Sequence, residues 1–181
     1  ILSSFFVVTQ SRTGPKPVVS VTGDDSGVQI VSHMSDQPFI VDTVLLTLRT
    51  LDIGYISGFN LVIGMGRSDA GKLTSIDEPA DHLESMIFVH ADAYEDTDEL
   101  RTALETHLTL SQATVGAFAS MTERVTETAA KLTQSASDQR GETDKFTEAA
   151  SFLKWLLADN FVLMGTIQGK ERLGIANNDV S

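Results

Sequence analysis

The sequence predicts an α+β fold, a two-layer sandwich of one sheet and the helices that cover it. In residues 28–34, Val28, Ile30 and Met34 are apolar at every other position, a pattern that only Ser32 breaks, while Gln29 and His33 are polar. This is the two-residue period of a half-buried strand. Residues 41–51 follow with apolar side chains at helical spacing. Two more strand-like runs occupy residues 55–65 and 84–91, and a helical run of leucines begins at Leu100. Strands and helices therefore alternate, as this fold class requires.

The composition excludes several classes of protein. The 181 residues carry a net charge of −12 at pH 7, which predicts repulsion from nucleic acids and from anionic membranes. No apolar run approaches the roughly 20 residues that span a bilayer. The absence of cysteine excludes disulfides and thiolate metal sites, and it fits a cytoplasmic location.

The N-terminal segment, residues 1–23, is predicted to be extended. Residues 5–10 and 18–22 are short β-prone runs, separated by a loop signal at residues 12–15. Residues 24–27 suit a hairpin turn into the next strand. The chain has no basic leader typical of a signal peptide. Because it begins without methionine, we expect it to be an excised piece of a longer protein.

A tight turn joins the first core strand to the first helix. Ser35 or Asp36 is predicted to cap that helix, and Pro38 suits its first turn, where a missing N–H costs nothing. Gly54 is predicted to end the helix as a left-handed cap. The turn leaves free N–H groups near a helix N-terminus, an arrangement that suits a carboxylate ligand. The alternative is that Asp36 only caps the helix.

The next two strands differ in their faces. Residues 55–65 place large apolar side chains on one face and small or polar ones on the other. Residues 84–91 are apolar on both faces, with Met86 and Phe88 on the second, so another layer or another subunit is expected to cover it. Glu84 opens this strand and is predicted to cap or to pair with a buried group.

Three parts follow the N-terminal segment. Residues 24–95 hold the first three strands and the first helix, residues 96–142 form a long helical insertion, and residues 143–181 hold the last helix, the last strand and a tail. This βαββαβ order is the ferredoxin-like topology, with the insertion before the last strand. The last strand, predicted over residues 161–168, either closes this sheet or begins the next domain.

No catalytic or metal-binding constellation is predicted. Residues 66–74 almost match a phosphate loop, but Leu73 displaces the required hydroxyl, and a hairpin tip at residues 69–71 is favoured. The four histidines have no ligand spacing, and His33 is interpreted as a satisfied strand residue. No nucleophile elbow occurs.

Three segments resemble the large bacterial NAD-specific glutamate dehydrogenases. Residues 36–43, DQPFIVDT, resemble the segment DMPFLVDS near the N-terminus of that family, and residues 84–88, ESMIF, are similar to its strand that begins with ES. Residues 148–165, with the core EAASFLKWL, are similar to its block EAxxFLxWLxdxxFxxLGy. The three lie in the family's order across residues 18–166, with departures such as Thr166 in place of an aromatic residue.

This resemblance implies an N-terminal ACT-like domain with a regulatory or oligomerising role. The family oxidatively deaminates L-glutamate to 2-oxoglutarate with NAD, in a catalytic domain far downstream. The resemblance therefore assigns neither catalytic residues nor a cofactor site to this chain, and NAD belongs to the parent enzyme. Other domains and subunits of that enzyme are the expected partners.

Two roles remain open. ACT domains often bind amino acids in the turn after the first strand, commonly between two domains, which implies an effector site at Ser35, Asp36, Gln37, Phe39, Ile56 and Ser57. That turn usually carries glycine after its proline, where this chain has Phe39. The alternative is a structural scaffold that binds no ligand and mediates subunit contacts, favoured by the apolar second face of residues 84–91.

Overall fold

A computed structural model describes residues 7–10, 12–76, 82–138 and 143–177. The strands are β1 Val18–Asp24, β2 Gly27–Ser35, β3 Tyr55–Arg67, β4 Leu73–Ile76, β5 Leu83–Ala91, β6 Gly165–Gln168 and β7 Glu171–Gly174. The helices are α1 Ile40–Thr50, α2 Thr97–Asp138 and α3 Thr143–Trp155, and a π-helical turn, Leu156–Asn160, follows α3. The chain divides into two compact units, Ile1–Gln112 and Ala113–Ser181.

The first unit is built on a five-stranded antiparallel sheet in the order β1-β2-β5-β3-β4. Strands β2 and β3 are joined by α1 and separated by β5, which is the split βαβ arrangement of the ferredoxin-like pattern. The predicted α+β fold, with a long helix before the last strands, is confirmed. The outer position beside β2 is taken by β1, at the β-prone run predicted over residues 18–22.

The last strands form a separate sheet in the second unit. The strand expected over residues 161–168 begins only at Gly165, and β6 pairs with β7 in a two-stranded sheet. Strand β7 was not predicted, because residues 161–168 were expected to form the last strand before the tail. The signal was Gly169, which lies in the hairpin turn with a φ of 61°.

The helix-covered face of the first sheet carries the main apolar core. Ile30 of β2 lies opposite Val89 of β5, and both side chains are buried. Leu100, Leu104 and Leu108 of α2, at the predicted four-residue spacing, are fully buried in the same cluster. Burial of each such side chain contributes about 1.5–3 kcal/mol, so this face is the main apolar source of stability.

The second face of the sheet forms a smaller core. Met86 and Phe88 of β5 are buried there in one cluster with Val8. Residues 7–10 are helical, so the strand predicted over residues 5–10 is wrong in its described part, and residues 5 and 6 lie outside the described ranges. The additional layer expected for this face comes from the chain itself, which removes Met86 and Phe88 as a surface for another subunit.

Helix α2 continues unbroken through Gly116, although glycine is a poor helix former. Threonine is a poor helix former, because its hydroxyl competes for backbone groups. In α2 several of these hydroxyls donate to the carbonyl four residues earlier, as from Thr109 to Glu105 over 2.6 Å, and so are satisfied without breaking the helix, whereas the buried hydroxyl of Thr122 has no partner among the described residues. None of the helices in the described ranges is both long and apolar enough to cross a bilayer.

A Schellman motif closes the C-terminus of α1. The N–H of Ile53 donates to the carbonyl of Leu48 over 2.9 Å, and that of Asp52 donates to Arg49 over 3.2 Å. Asp52 adopts the left-handed conformation with a φ of 57°. The left-handed cap predicted at Gly54 therefore lies two residues earlier, and Ile53 joins Leu48 in the apolar core.

We expect Asp52→Gly to raise the free energy of unfolding by about 0.5–1 kcal/mol. The left-handed conformation costs an L-residue about 1–2 kcal/mol, and the entropy of glycine in the unfolded chain offsets part of the gain. Asp42→Gly, in the first turn of the same helix, is the matched control and should lose about 1 kcal/mol. Urea denaturation measures both variants, and a less stable Asp52→Gly would contradict the assignment.

Candidate functional site

The predicted effector turn leads from β2 to α1 at one end of the sheet. The N–H of Asp36 donates to the carbonyl of Leu83 over 2.9 Å, so the pairing with β5 continues past the end of β2. The side-chain amide of Gln37 donates from Nε2 to Ser111 Oγ over 3.3 Å. The protein itself therefore uses part of the hydrogen-bonding capacity of this turn.

Phe39 begins α1 in place of a polar cap. It is the N-cap residue, with the left-handed angles φ 70° and ψ 11°, and no hydrogen bond from a side chain caps the helix in its described surroundings. The prediction that Ser35 or Asp36 caps α1 is wrong, and Pro38 precedes the N-cap instead of lying in the first turn. A position that favours glycine thus holds a large ring, which is 55% exposed.

Ile56 and Ser57 lie far from this turn. Ser57 pairs with His90 of β5, whereas Ser35 pairs with Glu84, six residues earlier on the same strand. At about 3.4 Å per residue, roughly 20 Å separates the two places. Within one chain, the structure gathers the four predicted residues of the turn and separates them from the two on β3.

A buried charge cluster lies beside Ser35, on the second face of the sheet. Its centre is Glu84, which is 3% exposed. Arg12 donates from Nη1 to Oε1 of Glu84, and Arg67 contacts both carboxylate oxygens, with Nε 2.7 Å from Oε1 and Nη2 2.8 Å from Oε2. Two-point contacts of this kind are the stronger form of ion pair. The prediction that Glu84 pairs with a buried group is confirmed.

Arg67 connects three segments of the first unit. Its Nη1 donates to the carbonyls of Arg12 and Gly71, over 2.8 and 2.9 Å, and its Nη2 donates to that of Thr9 over 3.3 Å. Together with the two bonds to Glu84, these contacts use all five N–H donors of the guanidinium. Arg67 therefore holds the N-terminal segment and the turn between β3 and β4 against the start of β5.

His33 of β2 completes the cluster. Its side chain is fully buried, and Nε2 lies 2.6 Å from Oε2 of Glu84. Desolvation lowers the pKa of His33 from 6.5 to about 4, against the opposing attraction of the Glu84 charge. The imidazole is therefore neutral at pH 7. Its Nδ1 has no hydrogen-bond partner in the described structure, which departs from the satisfied strand histidine that the sequence predicted.

The Glu84 carboxyl remains ionised in this buried position. Burial raises its pKa, but the hydrogen bond from Arg67 and the charge of Arg12 outweigh that effect, and the net pKa lies below 4.5. Two guanidinium groups, one carboxylate and one neutral imidazole leave a single positive charge in the cluster. In a chain of net charge −12, the cluster is a local positive site.

Sequence reasoning missed Arg12 and Arg67. These arginines lie 72 and 17 residues from Glu84, and no periodic pattern links residues over such distances. The one available signal was an acidic residue at the start of a strand that is apolar on both faces. Burial of that carboxylate requires a counter-charge, but nothing in the sequence says which residue provides it.

We expect Glu84→Gln to lower the free energy of unfolding by about 3–5 kcal/mol, because it leaves two guanidinium groups in the core without a counter-charge. Glu105→Gln is the matched control. Glu105 pairs with Arg101 on the surface, and its loss should cost less than about 1 kcal/mol. Chemical denaturation compares the two variants, and similar losses in both would show that the buried cluster contributes no more than a surface pair.

The stability of the fold should decrease as the pH falls from 6.5 to 4. In that window the unfolded chain binds a proton at His33 that the folded chain does not, since burial depresses the folded pKa to about 4. A shift of this size corresponds to roughly 3 kcal/mol, present in full above pH 6.5. Urea denaturation at several pH values should show a flatter profile for His33→Gln. His82→Gln, at an exposed histidine, is the matched control for the loss of an imidazole, and identical profiles for the wild type and His33→Gln would refute the role of His33.

The sequence of this chain is similar to those of known proteins. Residues 5–108 match the family model described as Glutamate dehydrogenase, ACT1 domain. The chain is also 27% identical over 158 residues to the NAD-specific glutamate dehydrogenase of Halomonas elongata. That alignment covers 79% of this chain and 10% of the relative, so the chain spans about a tenth of the relative's length. The family match covers more than half of the chain, including the sheet, the turn and the charge cluster, and the chain therefore belongs to the ACT1 domain family of glutamate dehydrogenases.

Proposed function

We propose that this domain serves assembly and regulation in a large NAD-dependent glutamate dehydrogenase, and that hydride transfer takes place elsewhere in the parent enzyme. The parent would convert L-glutamate and NAD to 2-oxoglutarate and ammonia, and NAD would be held outside this domain. Family membership and the named relative support this assignment. A cytoplasmic location belongs to the same proposal. One observation supports the assembly role: the outer part of β3 is uncharged and exposes apolar side chains.

The outer part of β3 exposes apolar side chains on both faces of the sheet. Leu61 shares the face of Met86 and is 46% exposed, whereas the next residue, Val62, points to the helix-covered face and is 42% exposed. In the described ranges, the ladder between β3 and β4 spans only Met65 to Arg67. A strand edge of this kind is a template for pairing with another chain.

The charge pattern indicates a second copy of the chain as the partner. Residues 55–66 contain no charged side chain, although the whole chain carries a net charge of −12. Two strongly acidic copies repel each other over most of their surfaces, so their approach costs least at an uncharged place. Two such edges in antiparallel pairing would bury the same residues on both copies, as a two-fold interface requires.

A groove beside this edge adds to the contact surface. It has a volume of about 250 Å³ and lies between α1 and β3. Val41 and Leu45 form its helical wall, and the small or short side chains at Gly58 and Asn60 leave it open on the sheet side. A bulge between Tyr55 and Ser57 shifts the register, so the ring of Tyr55 also lines the groove. Apolar side chains of a partner would fill such a groove and enlarge the buried core of an interface.

Effector sensing at Ser35, Asp36, Gln37 and Phe39 is the second part of the proposal. The outer edge of β3 supports the scaffold role more directly. Phe39 places a bulky ring where close approach of a ligand to the backbone favours glycine, and this weighs against the sensor role. Calorimetry with glutamate, aspartate and other amino acids separates the two roles: heat at millimolar ligand that Gln37→Ala abolishes establishes a sensor at this turn, and the absence of such heat leaves the scaffold.

We expect the chain to self-associate and Leu61→Asp to convert it to monomers. The substitution would bury two carboxylates against each other at the paired edges, and the lost hydration should raise the dimer dissociation constant at least about 100-fold. Analytical ultracentrifugation at several concentrations measures the change.

Leu46→Asp provides the matched control for this experiment. Leu46 is 61% exposed on α1 and does not line the groove, so the same substitution there should leave association unchanged. A wild-type chain that stays monomeric at every concentration would refute the proposed interface. Equal weakening by the two substitutions would show a general effect of added negative charge and would refute it as well.

A further inference from the structure

We propose that a cavity beside the charge cluster binds a small oxyanion, a phosphate or a carboxylate, through Arg12 and Ser35. This Arg12 cavity has a volume of about 290 Å³ and is lined by residues 12–15, by the turn between β3 and β4, and by Ser35. A water molecule occupies about 30 Å³ in the liquid, so the cavity has room for a phosphate or a short dicarboxylate with some water. The site is independent of the assembly role, which rests on a different part of the sheet, and of the residues of the proposed effector turn only Ser35 lines it.

The balance of charge favours an anion in this cavity. The arginines of the cluster are always protonated, and the single buried carboxylate of Glu84 neutralises only one of them. One positive charge therefore remains in a site where Arg12 is only 5% exposed. A buried charge without a counter-ion is costly, and a bound anion would supply the missing partner.

Arg12 also has an unused donor. Its Nη1 donates to Glu84 and its Nη2 donates to Ser35 Oγ over 2.7 Å, and its solvent-inaccessible Nε has no hydrogen-bond partner among the described residues. Arg67, in contrast, uses every donor within the protein. Because the oxygen of Ser35 accepts the bond from Arg12, its hydroxyl keeps a hydrogen to donate to a ligand. Each Nη of Arg12 carries a second N–H, so these N–H groups and the Ser35 hydroxyl are the donors that the described cavity wall offers to an oxyanion.

The walls of the cavity are held together by backbone contacts. The predicted hairpin tip is present, since the N–H of Gly71 donates to Ser68 over 2.7 Å and that of Ser68 donates to Lys72 over 2.9 Å. Gly71 has a φ of 76°, and a Cβ atom there would collide with the carbonyl of Thr13 on the opposite wall. The two walls therefore touch at this point, which fixes the cavity before any ligand arrives and lowers the entropic cost of binding.

Two further titratable groups, Asp69 and His82, also line the cavity. Both residues are exposed, so water and salt screen their charges far more than that of the buried Arg12. The guanidinium of Arg12 therefore dominates the potential felt by a ligand. Its planar fork matches two oxygens of a phosphate or a carboxylate, and the Ser35 hydroxyl can bind a third or share one of them.

The test is a titration of the isotope-labelled 181-residue chain followed by amide chemical shifts. Inorganic phosphate and succinate are added in separate experiments, with sodium chloride at equal ionic strength as the reference. We expect saturable shifts at Thr13, Gly14 and Gly71. Saturation by one anion alone shows whether the site prefers a phosphate or a carboxylate. Saturation by both shows that the site binds either oxyanion. Shifts that equal those in sodium chloride for both anions would overturn the proposal.

Two variants locate the binding site. Ser35→Ala removes a hydrogen bond to a charged ligand and should weaken binding about tenfold. Arg12→Lys keeps the charge but removes Nε and the fork, and it should weaken binding by a similar factor. Arg101→Lys, at a half-buried arginine on α2 outside the cavity wall, is the matched control and should leave the affinity unchanged. If Arg12→Lys does not fold, Ser35→Ala decides: an affinity equal to that of the wild type would overturn the assignment of the site.

Discussion

The buried carboxylate of Glu84 is the interaction on which the first unit depends. An ion inside a protein is tolerated only where counter-charges and hydrogen bonds replace its water. Arg12 and Arg67 provide them, and in doing so they place the N-terminal segment and the β3–β4 turn on the second face of the sheet. The same arrangement closes the apolar cluster of Met86 and Phe88. Strand β5 is thus buried on both faces by ion pairs as well as by apolar packing.

The sheet and its helices were predictable because each is decided by a few neighbouring residues. The apolar positions in residues 28–34 correctly predict strand β2, although the strand is buried on both faces and not on one. The leucines from Leu100 to Leu108 point into the core as predicted. The two-sided apolar pattern of β5 indicated a second layer but not its source. Residues 5–10 were interpreted as a strand, because a short apolar run has the same appearance in a strand and in a helix.

The turn after β2 shows where local signals fail. Ser35 and Asp36 are residue types that cap helices, yet the ladder with β5 continues through Asp36, so the chain is still extended at that point. Local sequence patterns could not predict the chemistry of the candidate site either. Arg12 and Arg67 meet Glu84 only after the fold has formed, so the sequence predicted a partner for this carboxylate without identifying it.

The members of the charge cluster come from four separate segments, and this has an evolutionary consequence. Loss of either arginine leaves the carboxylate with half of its counter-charge, and loss of Glu84 leaves two cations in the core. Single changes at these positions are therefore selected against, and divergence requires compensating changes at distant points of the gene. Among homologous domains, we expect positions 12, 67 and 84 to covary or to be inherited as one block.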